Sequence, residues 1–437
     1  MSASPMTPPP LLSTDPGEMN RITTTARRVR MLGGVWKEDA RRYIAEHFAR
    51  EALDVLPPVS IERNPYRNTV AQLATLYDVP PEVSAPSSPG LDLAPVVTPK
   101  LRALWPQLLI NVIGLNEALI RVDVHPDGRI LYRVVTPDQL RDCKADPYEP
   151  DRIVALSEVR YLTRPGFSGW GLERWDVSNP DAPVFKVYEQ GAAGPVDATA
   201  LYYPDLTPGE FPYRDLDGRP VLPFALYHLR PGGALFNPQD GEELVEATLG
   251  ISMLTTSAKQ GQRDLAYPQR AIVDGELQGV KATADQPRVT ISPLSILTVK
   301  SVGGLNARLD QWQASYDPVK AVTALDMQEA SLSGFAGLTP ADMNLSAASS
   351  GAARVISKEG LRRVRLGREQ AQRFGDLDLL TIAAKLHNRS VGFKVYPESP
   401  DLWQITYLEL APLGDDGRPL PPKAPAPAPS DDDASAG

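Results

Sequence analysis

The stretch NPQDGEELVEATLGISMLTTSAKQGQRDL, residues 237–265, decides how the middle of the chain is interpreted. Asn237 and Pro238 are typical of a helix N-cap and first residue, and the acidic residues after them complement the helix dipole. Small and aliphatic side chains then recur every three or four residues, which predicts a long helix with a narrow packing seam. This seam comprises Leu244, Ala247, Ile251, Leu254, Ala258, Gly261 and Leu265. An ordinary core helix of a monomer would show the same pattern.

Beyond this helix, the sequence predicts a small β-rich excursion and a return to helix. QRAIVDGEL (269–277) and RVTISPLSILTVKSV (288–302) have strand composition around a polar, turn-rich middle. A second helix should follow Gly304, restarted by Asp317 and Pro318 as N-cap and first residue. Its apolar face comprises Leu305, Leu309, Trp312 and Tyr316. Two long helices would thus flank one compact β module.

The next stretch, GFAGLTPADMNLSAASSG (334–351), has too few large apolar side chains for a core, so we expect a mobile loop. A long helix should follow from Ala352 to Asn388. One of its faces, which we interpret as core, comprises Ala353, Ile356, Gly360, Val364, Gly367, Ala371 and Phe374. The opposite face is basic and comprises Arg354, Lys358, Arg362, Arg363, Arg365, Arg368 and Arg373.

This basic face contrasts with the net charge of the chain, which is −9. Like charges on one helix repel each other and usually need a polyanion, acidic neighbours or solvent around them. Acidic neighbouring subunits, DNA and solvation therefore remain three open interpretations. Because tight sequence-independent DNA binding relies on Lys and Arg at phosphates, an acidic chain should contact DNA only locally or weakly.

Upstream of residue 237, the sequence first predicts helices. They cover residues 23–56 with a break at Gly33-Gly34, residues 68–77, and residues 100–116 after a Pro-, Ser- and Gly-rich loop at 80–99.

Strands follow these helices. ALIRVDV and RILYRVV, joined by the turn His125-Pro126-Asp127-Gly128, predict a β-hairpin. Three runs between residues 154 and 190 predict an antiparallel β-meander, and residues 220–229 another strand. A last strand pair is predicted at 391–397 and 403–410. Because strands do not alternate with crossover helices, the predicted fold class is α+β.

Composition and motifs exclude several classes of function. The single cysteine, Cys143, excludes an internal disulfide and a multi-thiolate zinc site, and the four histidines are far apart in sequence. No phosphate-binding G-x-x-x-x-G-K-[ST] motif occurs. The apolar stretch 103–116 is shorter than the roughly 20 residues that span a bilayer. We therefore expect no enzymatic activity, no metal, no cofactor and no membrane partner.

The order helix, β-rich excursion, helix, loop, basic helix resembles the portal proteins of tailed bacteriophages and of gene transfer agents. FAGLTPADMNLSAASSGAARVISKEGLRRV (335–364) is the most specific stretch and resembles their tunnel loop and following wing helix. Residues 237–275 are similar to a first stem helix running into the clip. Residues 64–83 and 118–140 resemble wing segments. A Pro- and Asp-rich tail stands where many portals have a helical crown.

On this resemblance, the subunit is a portal-like, ring-forming α+β protein with eight segments. They are a disordered arm (1–22), a wing of helices and antiparallel meander (23–237), a first stem helix (238–265), a clip (266–304), a second stem helix (305–336), a tunnel loop (337–350), a long kinked wing helix with returning strands (351–411) and a disordered tail (412–437).

The resemblance implies a structural subunit of a homo-oligomeric ring of twelve copies at one capsid vertex. Double-stranded DNA would pass through this ring during packaging and ejection. The clip would dock the terminase large subunit and later the head-completion or adaptor proteins, with major capsid and scaffolding proteins as further partners. The protein would assemble in the host cytoplasm and reside in the virion.

The resemblance also assigns functional residues. The tunnel-loop residues that face DNA would be Thr339, Asp342, Asn344, Ser346, Ser349 and Ser350. The docking surface of the clip would include Gln278, Lys281, Asp285 and Gln286. A subunit or DNA contact would be made by Arg354, Lys358, Arg362, Arg365 and Arg368.

Two alternatives remain. Another head-tail connector or capsid-associated structural protein would also form an oligomer, although connectors are usually shorter. A nucleic-acid-processing enzyme whose acidic residues gather only in the fold would instead hydrolyse DNA with a metal ion.

Overall fold

The computed structural model describes residues 16–47, 58–61, 64–149, 152–191, 194–207, 209–230, 236, 241–266, 269–273, 275–277, 299–301, 308–312, 317–335 and 351–408. They belong to two compact units. The first takes in Met1–Leu32, Arg67–Glu242 and Gly337–Gly437, and the second Gly33–Tyr66 and Glu243–Ala336. Helices and antiparallel sheets occur together, which confirms the α+β class.

The N-terminal helices are α1 (Pro16–Leu32), α2 (Lys37–His47), α3 (Pro65–Leu73) and α4 (Pro99–Leu115). The predicted break at Gly33-Gly34 is confirmed. The helix predicted at 68–77 begins earlier, at Pro65, and ends at Leu73. Proline has a backbone φ that suits the first residue of a helix. In α4, Pro99 also starts the helix, and the Thr98 hydroxyl accepts a hydrogen bond from the Leu101 N–H at 3.2 Å.

Because α1 begins at Pro16, the prediction of an arm over residues 1–22 is wrong from that residue onward. Two side chains anchor this first turn. The Glu18 carboxylate accepts a hydrogen bond from the Asp142 N–H at 2.8 Å. Arg21 donates to the carbonyls of Pro137 and Leu140, both at 2.8 Å. These long-range contacts stabilise helix where local composition predicts none.

The predicted hairpin is confirmed as β2 (Glu117–Val124) and β3 (Ile130–Val135). Gly128 has a φ of +85° in the connecting turn, a conformation that favours glycine. The strand predicted at 220–229 is β9 (Phe224–His228), and it pairs with β2, so that the sheet order is β3-β2-β9.

The predicted meander is a separate five-stranded antiparallel sheet. Its strands are β4 (Leu140–Ala145), β5 (Ile153–Arg164), β6 (Phe167–Asp176), β7 (Val184–Gly191) and β8 (Gly194–Asp197), in that order, followed by the short helix α5 (Thr199–Tyr202). One face packs into a core around the fully buried Trp175. The edge strand β4 is bulged after Arg141, where Asp142 has a φ of +51°.

The long C-terminal helix is confirmed and is numbered α8 (Gly351–Val391). The strand pair predicted after it is wrong: Gln404–Thr406 (β14) pairs instead with Glu82–Ser84 (β1), which lies inside the predicted loop. The Asn388 side chain explains the loss of the first strand. Its oxygen accepts from the N–H groups of Val395 and Tyr396 at 2.8 and 2.9 Å, which removes donors that a strand ladder would need.

The second unit contains α2, α6 (Glu242–Ala266) and α7 (Pro318–Phe335), and the described residues between the latter two form four short strands. The predicted N-cap Asn237 lies outside the described residues, and α6 begins at Glu242. Asp317 caps α7 as predicted, since its Oδ1 accepts from the N–H groups of Val319 and Lys320 at 3.0 and 3.2 Å. Ile251 of α6 packs against Leu325 and Leu332 of α7.

The four strands are β10 (Gln269–Val273), β11 (Gly275–Leu277), β12 (Val299–Ser301) and β13 (Arg308–Trp312). Pairing is antiparallel, β10 with β13 and β11 with β12. The helix predicted from Leu305 is therefore wrong at Leu309 and Trp312, which lie in β13. Pairing with Ile272 and Gln269 satisfies the backbone of this segment and overrides its weak helical spacing.

Candidate functional site on the long helix

Most of the predicted site residues lie outside the described residues. This holds for the loop residues Thr339, Asp342, Asn344, Ser346, Ser349 and Ser350, and for the docking residues Gln278, Lys281, Asp285 and Gln286. Arg354, Lys358 and Arg362 belong to the described backbone of α8, but their side chains are outside the description. These assignments stay predictions.

The C-terminal part of the predicted basic face is bound to its own chain. Arg365 donates to the Leu408 carbonyl, and Arg368 Nη1 donates to the Leu73 carbonyl at 3.5 Å. Burial lowers the pKa of Arg368 to about 10, so it remains charged at neutral pH. Arg373 pairs with Glu369 at 3.0 Å and lies over the Tyr407 ring. These three side chains stabilise α8 in its unit, which leaves fewer free charges for DNA or a neighbouring subunit.

The predicted seam of α8 is wrong at its C-terminal end. Ala371 is buried as expected, but Phe374 is 64% exposed. The buried row lies beside it and comprises Gln372, Asp376, Leu379, Leu380 and Ala383, of which the first two are polar. Sequence spacing treats Gln372 and Asp376 as surface residues, and their partners come from distant parts of the chain.

Gly375 allows α8 to approach β9 closely. A Cβ atom at this position would lie 2.6 Å from Cδ1 of Tyr227, far inside van der Waals contact. Gln372 Nε2 also donates to the His228 carbonyl at 3.2 Å, one turn earlier on the helix. Helix α8 therefore packs closely on strand β9, with no room for a side chain at Gly375.

The Tyr227 ring fitted against Gly375 belongs to a cage of four donors around the fully buried Asp376. Tyr227 Oη and Trp105 Nε1 donate to Oδ1 at 2.8 and 2.9 Å. Tyr77 Oη and Tyr407 Oη donate to Oδ2 at 2.8 and 2.6 Å. We call these five residues the tyrosine cage. It joins α4, β9, α8, the segment after α3 and the segment after the strand Gln404–Thr406 at one carboxylate.

Burial raises the pKa of Asp376 to about 6, and the four hydrogen bonds oppose that rise. Burial also raises the pKa of Tyr77 and of Tyr227, so both phenols remain neutral donors. Asp376 is thus an ionised acceptor above about pH 6. The cage was missed from the sequence because its donors are up to 299 residues away. The available signal was the pair Asp376 and Asp378 at the start of the apolar run DLDLLTIAA.

A second buried charge network lies between the two larger sheets. Arg121 of β2 donates to Glu158 Oε2 at 2.7 Å and also to Glu173, and both carboxylates are buried. Arg160 reaches Glu173 at 3.1 Å, and Arg133 reaches Glu158. We call these residues the arginine cluster.

The arginine cluster resembles the paired carboxylates of some hydrolases, but its charges are neutralised. Burial alone would raise the pKa of Glu158; the charge of Arg121 and the hydrogen bonds from Arg133 hold it below its ordinary value. The Arg121 guanidinium also lies 5.1 Å from the Trp175 ring centroid. An acid fixed in its ionised form by buried arginines is suited to holding sheets together rather than to donating protons.

Among the described residues, no group of three or more His, Cys, Asp and Glu side chains is arranged to hold a metal ion. Likewise, no described helix is long and apolar enough to cross a membrane.

Comparison with known proteins finds similar chains among solved structures and none by sequence. No protein family model matches the chain, and no curated protein does. Among solved structures, it is similar to a chain in the "Virion of native gene transfer agent (GTA) particle", with 14% identical residues and a TM-score of 0.36. The likeness covers 79% of this chain and 80% of that chain.

Proposed function

We propose that this chain is a portal subunit that forms a ring at a capsid vertex and conducts double-stranded DNA. The observation that supports the proposal is the order of elements along the chain. Helix α6, the paired strands β10 to β13, helix α7 and the 41-residue helix α8 follow each other as the resemblance implies. The clip would extend to Trp312, and the second stem helix would begin at Pro318.

The surface of α7 is suited to a ring. Val319, Val322 and Met327 are 73%, 49% and 69% exposed, although α7 already packs on α6 through Leu325 and Leu332. Exposed apolar residues on the side of a helix away from its packed face favour contact with another copy. A ring needs such heterologous contacts between unlike patches, and it closes only if the rotation between copies allows it.

We further propose that the chain performs no catalysis. Its partners would be the terminase large subunit, head-completion or adaptor proteins, and the major capsid and scaffolding proteins, with location at the portal vertex of the virion. Metal-dependent hydrolysis of plasmid DNA by the purified protein would instead support the nucleic-acid-processing enzyme. A ring that binds no terminase but binds tail-side proteins would support the connector.

The decisive experiment is native mass spectrometry together with cryo-electron microscopy of the purified protein. We expect a closed ring of about twelve copies. Val322→Asp on α7 should shift the population toward monomers, whereas Leu201→Asp, at an exposed apolar residue of the other unit, should leave the ring intact. A monomer or a closed dimer, with residues 337–350 buried, would contradict the proposal.

A further inference from the structure

A cleft opens where the turn between β2 and β3 meets the first turn of α4 and the last turn of α8. Its volume is about 980 Å³, and all of its lining residues belong to the first unit. Small-molecule sites in proteins typically have roughly 300–1,000 Å³ and mostly apolar walls. The walls here include the rings of Pro95, Pro99 and Pro126 and the side chains of Val124, Leu131 and Val391. We call this site the proline cleft.

Hydrogen bonds hold the walls of the proline cleft in place. In the turn, the Gly128 N–H donates to the His125 carbonyl and the His125 N–H donates to the Arg129 carbonyl, both at 2.8 Å. At the end of α8, the Gly392 N–H donates to the Asn388 carbonyl at 2.9 Å. The cleft is therefore preformed, and a ligand would lose little affinity to the ordering of its walls.

The charged side chains of the proline cleft leave one cation without a partner. Asp127 is bound on both sides, since its Oδ1 lies 2.7 Å from His125 Nδ1 and its Oδ2 lies 2.6 Å from Arg129 Nε. Burial lowers the pKa of His387, so its imidazole is neutral at neutral pH. Lys100, in the first turn of α4, forms no ion pair with any residue that the structure describes. The cleft therefore favours a ligand with a single negative charge, and the positive end of the α4 dipole adds to this preference.

The apolar walls favour a flat ring as the body of the ligand. Proline rings are rigid, and aromatic rings pack on them with little loss of conformational entropy. His387 adds an aromatic face, and Tyr396 packs against it with ring centroids 5.1 Å apart, which fixes the imidazole. A phosphate carries about two negative charges at neutral pH, more than one lysine balances, so a carboxylate suits the site better.

We propose that the proline cleft binds a small aromatic carboxylate. Its ring packs on the proline walls and on His387, and its carboxylate lies toward Lys100 at the positive end of α4. Lys100 supplies the preference for an anion, and the walls supply the preference for a ring. The site is contained in one unit of one chain, so binding does not require the ring of subunits proposed above.

Ligand-detected saturation-transfer NMR with the full chain tests the proposal with a matched pair of probes. Indole-3-propionate has the ring and the carboxylate, and indole-3-propionamide has the ring alone. We expect a dissociation constant of about 0.5 mM for the carboxylate and a value about fivefold higher for the amide. Lys100→Met should raise the value for the carboxylate to that of the amide and leave the amide unchanged. Lys37→Met, at an exposed lysine of α2, should change neither value.

A second variant locates the site. Ser390→Trp, at an exposed residue of the cleft, places a ring in the space for the ligand and should abolish binding of both probes. Circular dichroism shows whether each variant keeps the fold of the wild type. Equal affinity of the wild type for the two probes would overturn the proposal, and so would carboxylate binding that Lys100→Met or Ser390→Trp leaves unchanged. A ten-nucleotide oligo-dT that binds through Lys100 more tightly than indole-3-propionate would identify a nucleic-acid site and would also overturn it.

Discussion

The tyrosine cage and the arginine cluster hold buried carboxylates in two different ways. In the cage, one anion is stabilised by four neutral donors, and in the cluster two anions share three arginines. Neutral donors leave the pKa of Asp376 raised by burial, whereas full positive charges lower that of Glu158. Equal burial therefore does not imply an equal response: the two networks should differ in their tolerance to mutation and in the sign of their pH dependence.

The largest effect is expected in the arginine cluster. Arg121→Ala leaves Glu158 and Glu173 buried without their shared cation, which should lower the free energy of unfolding by about 5 kcal/mol. Urea denaturation followed by circular dichroism measures the change. As a control, Arg129→Ala, at an exposed arginine of the same hairpin, should cost less than about 1 kcal/mol. If the two variants were equally stable, the cluster would contribute nothing to the fold.

The tyrosine cage should be the next most sensitive. Asp376→Ala removes the acceptor of four buried donors and should lower the free energy of unfolding by about 4 kcal/mol. Each donor would then be buried without a hydrogen-bond partner, which is destabilising. Asp376→Asn should cost less than half of that, because its oxygen still accepts and the tyrosine hydroxyls can rotate to accept from its nitrogen. The same urea titrations test both variants. A larger loss for Asn than for Ala would contradict this account.

The pH dependence should have opposite signs in the two networks. The pKa of Asp376 is raised from 3.8 to about 6 on folding, so its stabilising contribution is complete below pH 3.8 and is lost as pH rises through about 6. The amplitude is about 3 kcal/mol at 1.36 kcal/mol per pKa unit. Glu158 behaves oppositely: its lowered pKa gives a contribution that is present above its unfolded value of 4.5 and is lost as pH falls through the folded value.

The free energy of unfolding, measured between pH 4 and 7 for the wild type and for Asp376→Asn, isolates the contribution of Asp376 to the pH dependence. The difference in free energy of unfolding between the two proteins should change with pH in that interval, because residue 376 can bind a proton only in the wild type. A constant difference would mean that the pKa of Asp376 is not raised.

The smallest effect concerns the fit of α8 on β9. Gly375→Ala brings a methyl group against the Tyr227 ring and should cost about 2 kcal/mol through overpacking. Gly367→Ala, where nothing lies within 4 Å, should instead stabilise the helix by up to about 1 kcal/mol. Thermal unfolding of the pair provides the comparison. Equal melting temperatures would show that the strand shifts to accept the methyl group.

Local signals predicted much of the fold. The Asp-Gly turn between β2 and β3, the runs of the meander and the cap at Asp317 depend on residues within a few positions of each other, and all were confirmed. The predictions at Leu309, Trp312 and Phe374 were wrong because pairing and burial there are decided by partners far along the chain. The tyrosine cage could not be predicted at all, since no spacing rule joins Asp376 to Tyr77. The loop and docking assignments remain predictions.

The contacts of Glu18 and Arg21 with the edge strand β4 have a consequence for association between copies. An edge strand with free backbone groups is a template for sheet extension and aggregation. Here α1 occupies the Asp142 N–H and the Leu140 carbonyl, and the bulge after Arg141 interrupts the remaining ladder. This end of the meander is protected against a foreign strand, which disfavours edge-to-edge stacking of copies that meet at high local concentration.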